Sequence, residues 1–258
     1  MNRFMKRSLI VLGGLVLMLL VTAGILLGPA FIGNKPIPEQ FEINGVRLVP
    51  DGFTTIWVVP VGSEQVALID AGNDTSGVAI LAELSRRGLG PEAVVGVFLT
   101  HGHADHIAGV RLFANADVMA LAAEAELVAG RAAPDSPIGR LIPASPTGIE
   151  VSRALRDGET VRVGSAAVTA YAVPGHTDGS AAYLVNGVLV LGDAGNVTDS
   201  DAVRGPIWIF SNDVAQGQGS LRELAERLAR EGARVDAIAF AHSGPLARGL
   251  APLAAYRP

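Results

Sequence analysis

Residues 100–106 read Thr-His-Gly-His-Ala-Asp-His, so three of the chain's five histidines fall within six positions, with an aspartate among them. Neutral imidazole and carboxylate are nitrogen and oxygen ligands that divalent zinc takes. A polar surface loop is the plainer reading of the same letters. The other two histidines and one further aspartate bear on the choice. His176 follows AYAVPG, Asp193 follows VLVLG and His242 follows DAIAFA. Each of those runs is apolar and strand-like, and EAVVGVFLT delivers the chain into His101 in the same way. All five histidines therefore sit at strand ends, where sheet edges of layered folds present ligands.

The segments that must position these residues alternate in type. VRLVP, TTIWVVPVG and QVALIDAG read as strands, with Asp51–Gly52 as a turn between the first two. GVAILAELSRRG has helical spacing and stops at Gly88. IAGVRLF reads as a short helix, ADVMA as a strand and LAAEAELVAG as a helix. Residues 131–148 carry four prolines and little periodicity, and read as a surface excursion or lid. Strands resume with ETVRVG, AAVTAYAVPG, SAAYLVNG and VLVLGDAG, and Asn186–Gly187 is a hairpin signal. After a loop holding Trp208 and Phe210, SLRELAERLAREG is an amphipathic helix and DAIAFAHSG a last strand. This order predicts a layered α/β domain with mixed sheets.

With 258 residues, 49% of them apolar, the chain can bury a large core. The formal net charge of −5 argues against broad electrostatic binding of nucleic acid. There is no cysteine, which excludes thiolate metal sites, iron–sulfur clusters, cysteine nucleophiles, disulfides and a lipid anchor on an N-terminal cysteine. Arg3, Lys6 and Arg7 precede Leu9–Gly28, an uncharged apolar run. Such a run spans about 30 Å as a helix, the thickness of a bilayer core. The basic flank stays cytoplasmic, so the rest of the chain is expected outside. A cleaved signal peptide is the rival reading, with Val21–Ala23 and Gly28–Ala30 as cleavage-like triplets, and a buried core helix is a third. Leaving out those three basic residues, 17 Lys and Arg face 25 Asp and Glu. The expected organisation is an anchor over 1–30, a proline-containing linker over 31–41 and a catalytic domain over 42–258.

The blocks H-x-H-x-D-H, PGHTDGS, LGDAG and AHSGP, with LIDAG at Leu68–Gly72 before them, resemble the metallo-β-lactamase superfamily over about residues 42–250. The resemblance implies a four-layer αββα sandwich with two divalent ions at one edge. Carried onto this sequence, it assigns His101, His103 and His176 to one ion, Asp105, His106 and His242 to the other, and Asp193 to both. Zinc fits these ligand types, and manganese or iron suits them as well. His101 and His103, two apart, point to one side of extended backbone. Asp105 and His106 fall at the start of a helix, where free N–H groups favour a carboxylate. Each ion then keeps room for a water, which marks a catalytic site.

The chemistry this implies is hydrolysis by a metal-bridging hydroxide, its pKa lowered toward about 7. Asp105 is the expected catalytic proton donor to the leaving group. Asp70 is expected to accept from a ligand imidazole, and Thr177 and Ser180 to hold the PGH loop. Tyr183 is weighed between packing and an oxyanion donor, and Trp208 and Phe210 between core and pocket wall. Asp193 argues against a true β-lactamase, whose branches lack an aspartate at that block. The sixteen residues after His242 leave little of the helical extension with which glyoxalase II-like thioesterases bind glutathione. Asp178 replaces the usual proline of GHTPGS, Ala194–Gly195 follow Asp193 where a large apolar residue is usual, and Ala241 and Ser243 flank His242 where glycine usually precedes it. The expectation is a membrane-anchored, extracytoplasmic binuclear hydrolase of a small ester, lactone or thioester, with no nucleic-acid partner. It lies outside a bacterial-type cytoplasmic membrane, or is secreted if the N-terminal segment is cleaved. The alternatives are a phosphodiesterase or nuclease, a mononuclear-iron sulfur dioxygenase, and a non-catalytic metal-binding protein.

Overall fold

The computed structural model describes residues 32–257 and scattered positions between residues 12 and 28, which are helical. The rest of the apolar run, and with it the expected transmembrane helix, lies outside the described residues. Among the described residues no helix is long and apolar enough to cross a membrane. The chain forms two compact units, Met1–Asn34 and Lys35–Pro258.

In the larger unit a seven-stranded sheet runs β1 (Phe41–Ile43), β2 (Val46–Asp51), β3 (Thr54–Pro60), β4 (Val66–Ile69), β5 (Val94–Phe98), β6 (Asp117–Leu121) and β7 (Arg153–Leu155), in that spatial order. Its first four strands are antiparallel meanders, and β4 through β7 are parallel. The second sheet is ordered β14-β11-β10-β9-β8, from β14 (Ala237–Ala239), β11 (Val188–Val190), β10 (Ala181–Val185), β9 (Ala166–Ala172) and β8 (Thr160–Val163). A small ribbon pairs β12 (Asn196–Val197) with β13 (Val203–Arg204).

Side-chain alternation explains the layering. In β3, Trp57 and Val59 point into the cluster between the sheets, where Phe98, Tyr183 and Val190 meet them. The alternate residues Ile56 and Val58 face outward against Ile80 and Leu84 of α1 (Val78–Arg86). On the far side, Leu221, Leu224 and Leu228 of the long α4 (Val214–Glu231) cover Ala182, Leu189 and Ile238 of the second sheet. Their i, i+3, i+7 spacing makes one helical stripe. The order is therefore helix, sheet, sheet, helix, as the family resemblance implies. Two short helices, α2 (Ala104–Ile107) and α3 (Ala125–Val128), lie between parallel strands, and α5 (Ala251–Ala254) closes the described chain.

The structure corrects three local readings. IAGVRLF is not one helix: Ile107 ends α2 and Val110–Leu112 make a separate 3₁₀ turn. Helix α4 starts at Val214, six residues before the periodic stretch, capped by Asp213, whose side chain accepts from Gln216 N at 2.9 Å. Glycines at 217 and 219 lower helix propensity and hide that start in the sequence. Arg153–Leu155 forms a parallel edge strand beside β6 that periodicity does not reveal. Residues 35–37 run against the domain surface: Lys35 N donates to Val197 O, its ammonium pairs with Asp201 at 2.7 Å, and Ile37 packs on the inter-sheet core.

Candidate metal centre

Five strand ends meet at one edge of the sandwich. Asp70 follows β4, His101 follows β5, His176 follows β9, Asp193 follows β11 and His242 follows β14. Backbone bonds lock the ends together. Asp70 N donates to Phe98 O at 2.9 Å, Ala181 N to Thr100 O at 2.8 Å, and Leu191 N to Ala239 O at 2.9 Å. The bond between Ala181 and Thr100 joins one sheet to the other.

The seven side chains named by the resemblance converge here. His101, His103 and His176 form one group whose ligand atoms all lie within 4.8 Å of one another; His101, His106 and Asp193 form a second; Asp105, His106 and His242 form a third. His176 Nε2 lies 3.1 Å from His101 Nε2 and 3.0 Å from His103 Nδ1. Ligands about 2.1 Å from a tetrahedral ion stand roughly 3.3 Å apart, so the trio has the spacing of ligands to a shared centre. His242 Nε2 lies 3.1 Å from Asp193 and 3.3 Å from Asp105. His106 Nε2 lies 3.4 Å from Asp193 and 3.6 Å from Asp105. Three buried atoms of the cluster, His103 Nε2, His106 Nε2 and Asp193 Oδ1, have no hydrogen-bond partner. Buried polar atoms without partners are costly. For His106 Nε2 and Asp193 Oδ1, which face the other imidazoles and carboxylates, a bound cation would supply the missing contact, while His103 offers Nδ1 to the cluster and turns Nε2 away. The residues fit a divalent metal ion of the nitrogen- and oxygen-loving kind.

The rings are held from behind. His106 Nδ1 lies 2.8 Å from Asp70 Oδ2, and Asp70 also accepts from Thr100 N and Oγ1 at 2.8 Å. Asp70 sits at φ 58°, a conformation that aspartate tolerates better than most residues. His101 Nδ1 meets Thr100 Oγ1 at 3.1 Å, His176 Nδ1 meets Ser211 Oγ at 3.1 Å, and His242 Nδ1 faces Phe53 O at 2.9 Å. The Phe53 ring also stacks on His242, centroids 5.6 Å apart. With Nδ1 engaged, these four rings turn Nε2 toward the cluster.

Electrostatics divides the cluster. Burial holds His176 down to about 3 and His103 to about 4, and pushes His101 well below the usual imidazole range. On the other side burial acts the same way, but the carboxylates outweigh it. Asp193 and Asp105 raise His242 to about 10, and Asp70 and Asp193 raise His106 well above its usual value. Burial opposes ionisation of Asp193 and Asp105 too, yet His242 and His106 hold both carboxyls low.

A buried residue that the sequence reading missed ties the loops. Glu124, 1% exposed, accepts from Gly102 N at 2.7 Å and from Thr177 Oγ1 at 2.9 Å, so one carboxylate spans the HGH and PGH loops. Burial pushes this carboxyl up against those donors. Only its place in a helical run was visible in sequence. Thr177 N also donates to Ser180 Oγ at 2.9 Å. Gly102 packs so closely on the end of α3 that a Cβ there would lie 2.7 Å from Val128 N. Gly175 has φ +134° and touches the Gly217 backbone, so glycine in α4 lets the helix start close beside His176.

Other readings sort as follows. Tyr183 is fully buried and donates to Leu99 O at 2.9 Å, so it packs beneath the site and faces no substrate. Asp178 accepts from Asn212 Nδ2 at 3.1 Å, and fully buried Ser243 accepts from Val197 N at 3.0 Å. Phe210, but not Trp208, lines a cavity of about 340 Å³ beside His103 and Asp105. Residues 131–148 form its opposite wall, tied down by Thr147 Oγ1 to Val128 O at 2.7 Å and by Ile138 N to Ile209 O at 3.1 Å.

Comparison with known proteins agrees with this geometry. A profile described as the metallo-beta-lactamase superfamily matches residues 49–242. Among curated proteins, a hydroxyacylglutathione hydrolase of Dechloromonas aromatica (strain RCB) is 31% identical over 157 residues, 60% of this chain and 48% of that protein. The matches span only about a third to a half of the length of the curated relatives. Among solved structures, the Rm3 metallo-beta-lactamase superposes with a TM-score of 0.61 at 25% identity, covering 81% of this chain and 79% of that one. The metallo-beta-lactamase SMB-1, bound to 2-mercaptoethanesulfonate, gives 0.61 at 25% identity, covering 81% of each chain.

Proposed function

Because the chain belongs to the metallo-β-lactamase superfamily, we propose that it is a metal-dependent hydrolase of a small ester, lactone or thioester. The observation that carries this reading is the convergence of five histidines and two aspartates at one sheet edge, with His106 Nε2 and Asp193 Oδ1 buried and unpartnered among them. His101, His103 and His176 would hold one divalent ion, and Asp105, His106 and His242 a second, with Asp193 shared; zinc is the ion these ligands suit first. When bound, such a pair supplies a water of lowered pKa as nucleophile and polarises the oxygen under attack.

The chain's own residues do the rest. Asp70, Ser211 and the Phe53 carbonyl fix the rings of His106, His176 and His242, so that each presents Nε2. Asp105 turns Oδ2 to both His106 and His242. We assign its other oxygen to carrying a proton to the leaving group, since its side chain is still 23% exposed on the cavity side. The cavity wall over residues 131–148 would cover one side of a bound substrate.

We further propose the organisation expected from sequence: an anchor over 1–30, a linker over 31–41, and a catalytic domain over 42–258 outside the cytoplasmic membrane. The basic flank before an uncharged apolar run supports it. The functional test is turnover by the full chain, purified in detergent and loaded with zinc. The panel is a lactone, a thioester, a simple ester, a β-lactam and a phosphodiester, with a chelator-treated control. Chelator-sensitive turnover of a non-lactam carbonyl substrate is the expected result. Turnover of the phosphodiester alone, or no turnover with a single iron bound, would overturn it in favour of a nuclease or an oxygenase.

A further inference from the structure

The cavity beside His103 and Asp105 has an uneven chemistry. Those two side chains of the candidate metal centre bring its ionisable groups, and the hydroxyls of Ser136, Ser145 and Thr147 are its other polar side chains. Away from them the wall is Leu127, Pro134, Ile138, Ile142, Pro143 and Phe210, with small residues between. No lysine, arginine or glutamate lines it. The two arginines of the overlying excursion are already committed at its surface. Arg131 pairs with Glu126 and Glu150 at 2.9 and 2.7 Å, and Arg140 with Asp135 at 2.8 Å. A ligand carboxylate or phosphate seated against the apolar wall, away from His103 and Asp105, would lose its hydration and meet no basic side chain, a large cost. An aliphatic chain would lose only unfavourable contact with water.

Two further features fit a chain-shaped apolar occupant. About 340 Å³ is at the small end of ordinary ligand pockets, enough for one short chain and not for a peptide-sized group. Ile138 and Ile142 are 36% and 53% exposed although they line a concavity, so apolar surface is left for a ligand to cover.

We propose that this cavity binds a neutral aliphatic acyl group, which makes the substrate an acyl ester or acyl thioester with its carbonyl at the His103 and Asp105 end. The substrate assignment rests on the hydrolase reading above. In the reaction the oxygen of water adds to the acyl carbon and the acyl–oxygen or acyl–sulfur bond breaks. The departing alcohol or thiol takes a proton, so no oxidant or reductant is needed.

The test separates binding from turnover. Acetamide, butanamide, hexanamide and octanamide are titrated calorimetrically into the chelator-treated, metal-free full-length protein, alongside adipamic acid, the ω-carboxylated counterpart of hexanamide, so that no carboxylate can be held by a metal ion. In parallel, nitrophenyl esters of the same unbranched acyl groups are assayed on the zinc-loaded protein. Affinity is expected to rise with chain length by up to about fourfold per methylene until the cavity is full. Adipamic acid is expected to bind at least about tenfold more weakly than hexanamide. Ile142→Lys should flatten the chain-length series, and Leu141→Lys, on a side chain 81% exposed that does not line the cavity, should leave it intact. Unchanged melting temperatures show that both variants are folded. A flat amide series in the parent protein, or equal binding of the carboxylated ligand, overturns the proposal even if the esters are hydrolysed. Graded amide binding without turnover of any ester supports the cavity assignment and overturns only the hydrolase reading beneath it.

Discussion

The two ends of the metal centre use the same ring in opposite states. His101, His103 and His176 are buried among one another, and burial outweighs the pull of Asp193 and keeps them neutral. His106 and His242 are wedged among Asp70, Asp105 and Asp193, and the carboxylates hold protons on them. A neutral ring is ready to bind a metal ion, and a protonated one must first release its proton. The difference teaches that ligand identity does not set metal affinity alone. The charge packed around each ligand decides how binding depends on pH.

The severest way to break the comparison is at its neutral end. His101→Ala removes a ligand that belongs to two of the three groups. Turnover should fall by more than about 100-fold, beyond the usual loss from an outer partner, and metal content measured by mass spectrometry should drop. The second way is pH. At the carboxylate end, the proton held on His242 up to about pH 10 and the one held on His106 must both be displaced, so affinity there should rise about tenfold per pH unit from 6 to 8 for each proton released. At the trio, where titration falls at about 3 and about 4 for two rings, affinity should be flat over that range. Calorimetry in buffers of different ionisation heat reads both, and equal slopes would refute the division.

Asp70→Asn keeps the left-handed backbone but removes the charge behind His106. It should weaken metal binding at the carboxylate end by about 10–100-fold and spare the trio. Glu124→Gln replaces one acceptor with a donor against Gly102 N–H or the Thr177 hydroxyl. Stability should fall by about 1–3 kcal/mol in urea unfolding. The smallest effect is expected from Phe53→Ala, because the stacked ring is 59% exposed. Affinity at the carboxylate end should change by less than about tenfold, with the Phe53 carbonyl still in place behind His242.

Most of the converging side chains could be singled out because they are rare residue types placed just after apolar runs. Strand ends at a sheet edge put such residues side by side whatever their separation in sequence. Glu124 was not legible, since a glutamate in a helical run reads as a solvated face until the fold buries it. For Tyr183 the packing reading holds, as expected of a strand tyrosine, but its partner, a backbone carbonyl of a neighbouring strand end, is one that no local pattern reveals. Helix α4 was underestimated by six residues, because Gly217 serves contact with the His176 loop and not helix propensity.

By itself, the sequence determined the alternation of strands and helices, the absence of thiol chemistry and the identity of the seven converging side chains. The first two follow from periodicity and composition, which are local properties of the chain; the seven side chains were named by the resemblance of their spaced motifs to the metallo-β-lactamase superfamily. Only the tertiary structure decided which imidazoles are neutral, which residues hold them from behind, and that the excursion over residues 131–148 walls a cavity beside them. Each of these depends on desolvation and on contacts between segments far apart in sequence, and neither exists until the sheets close on one another.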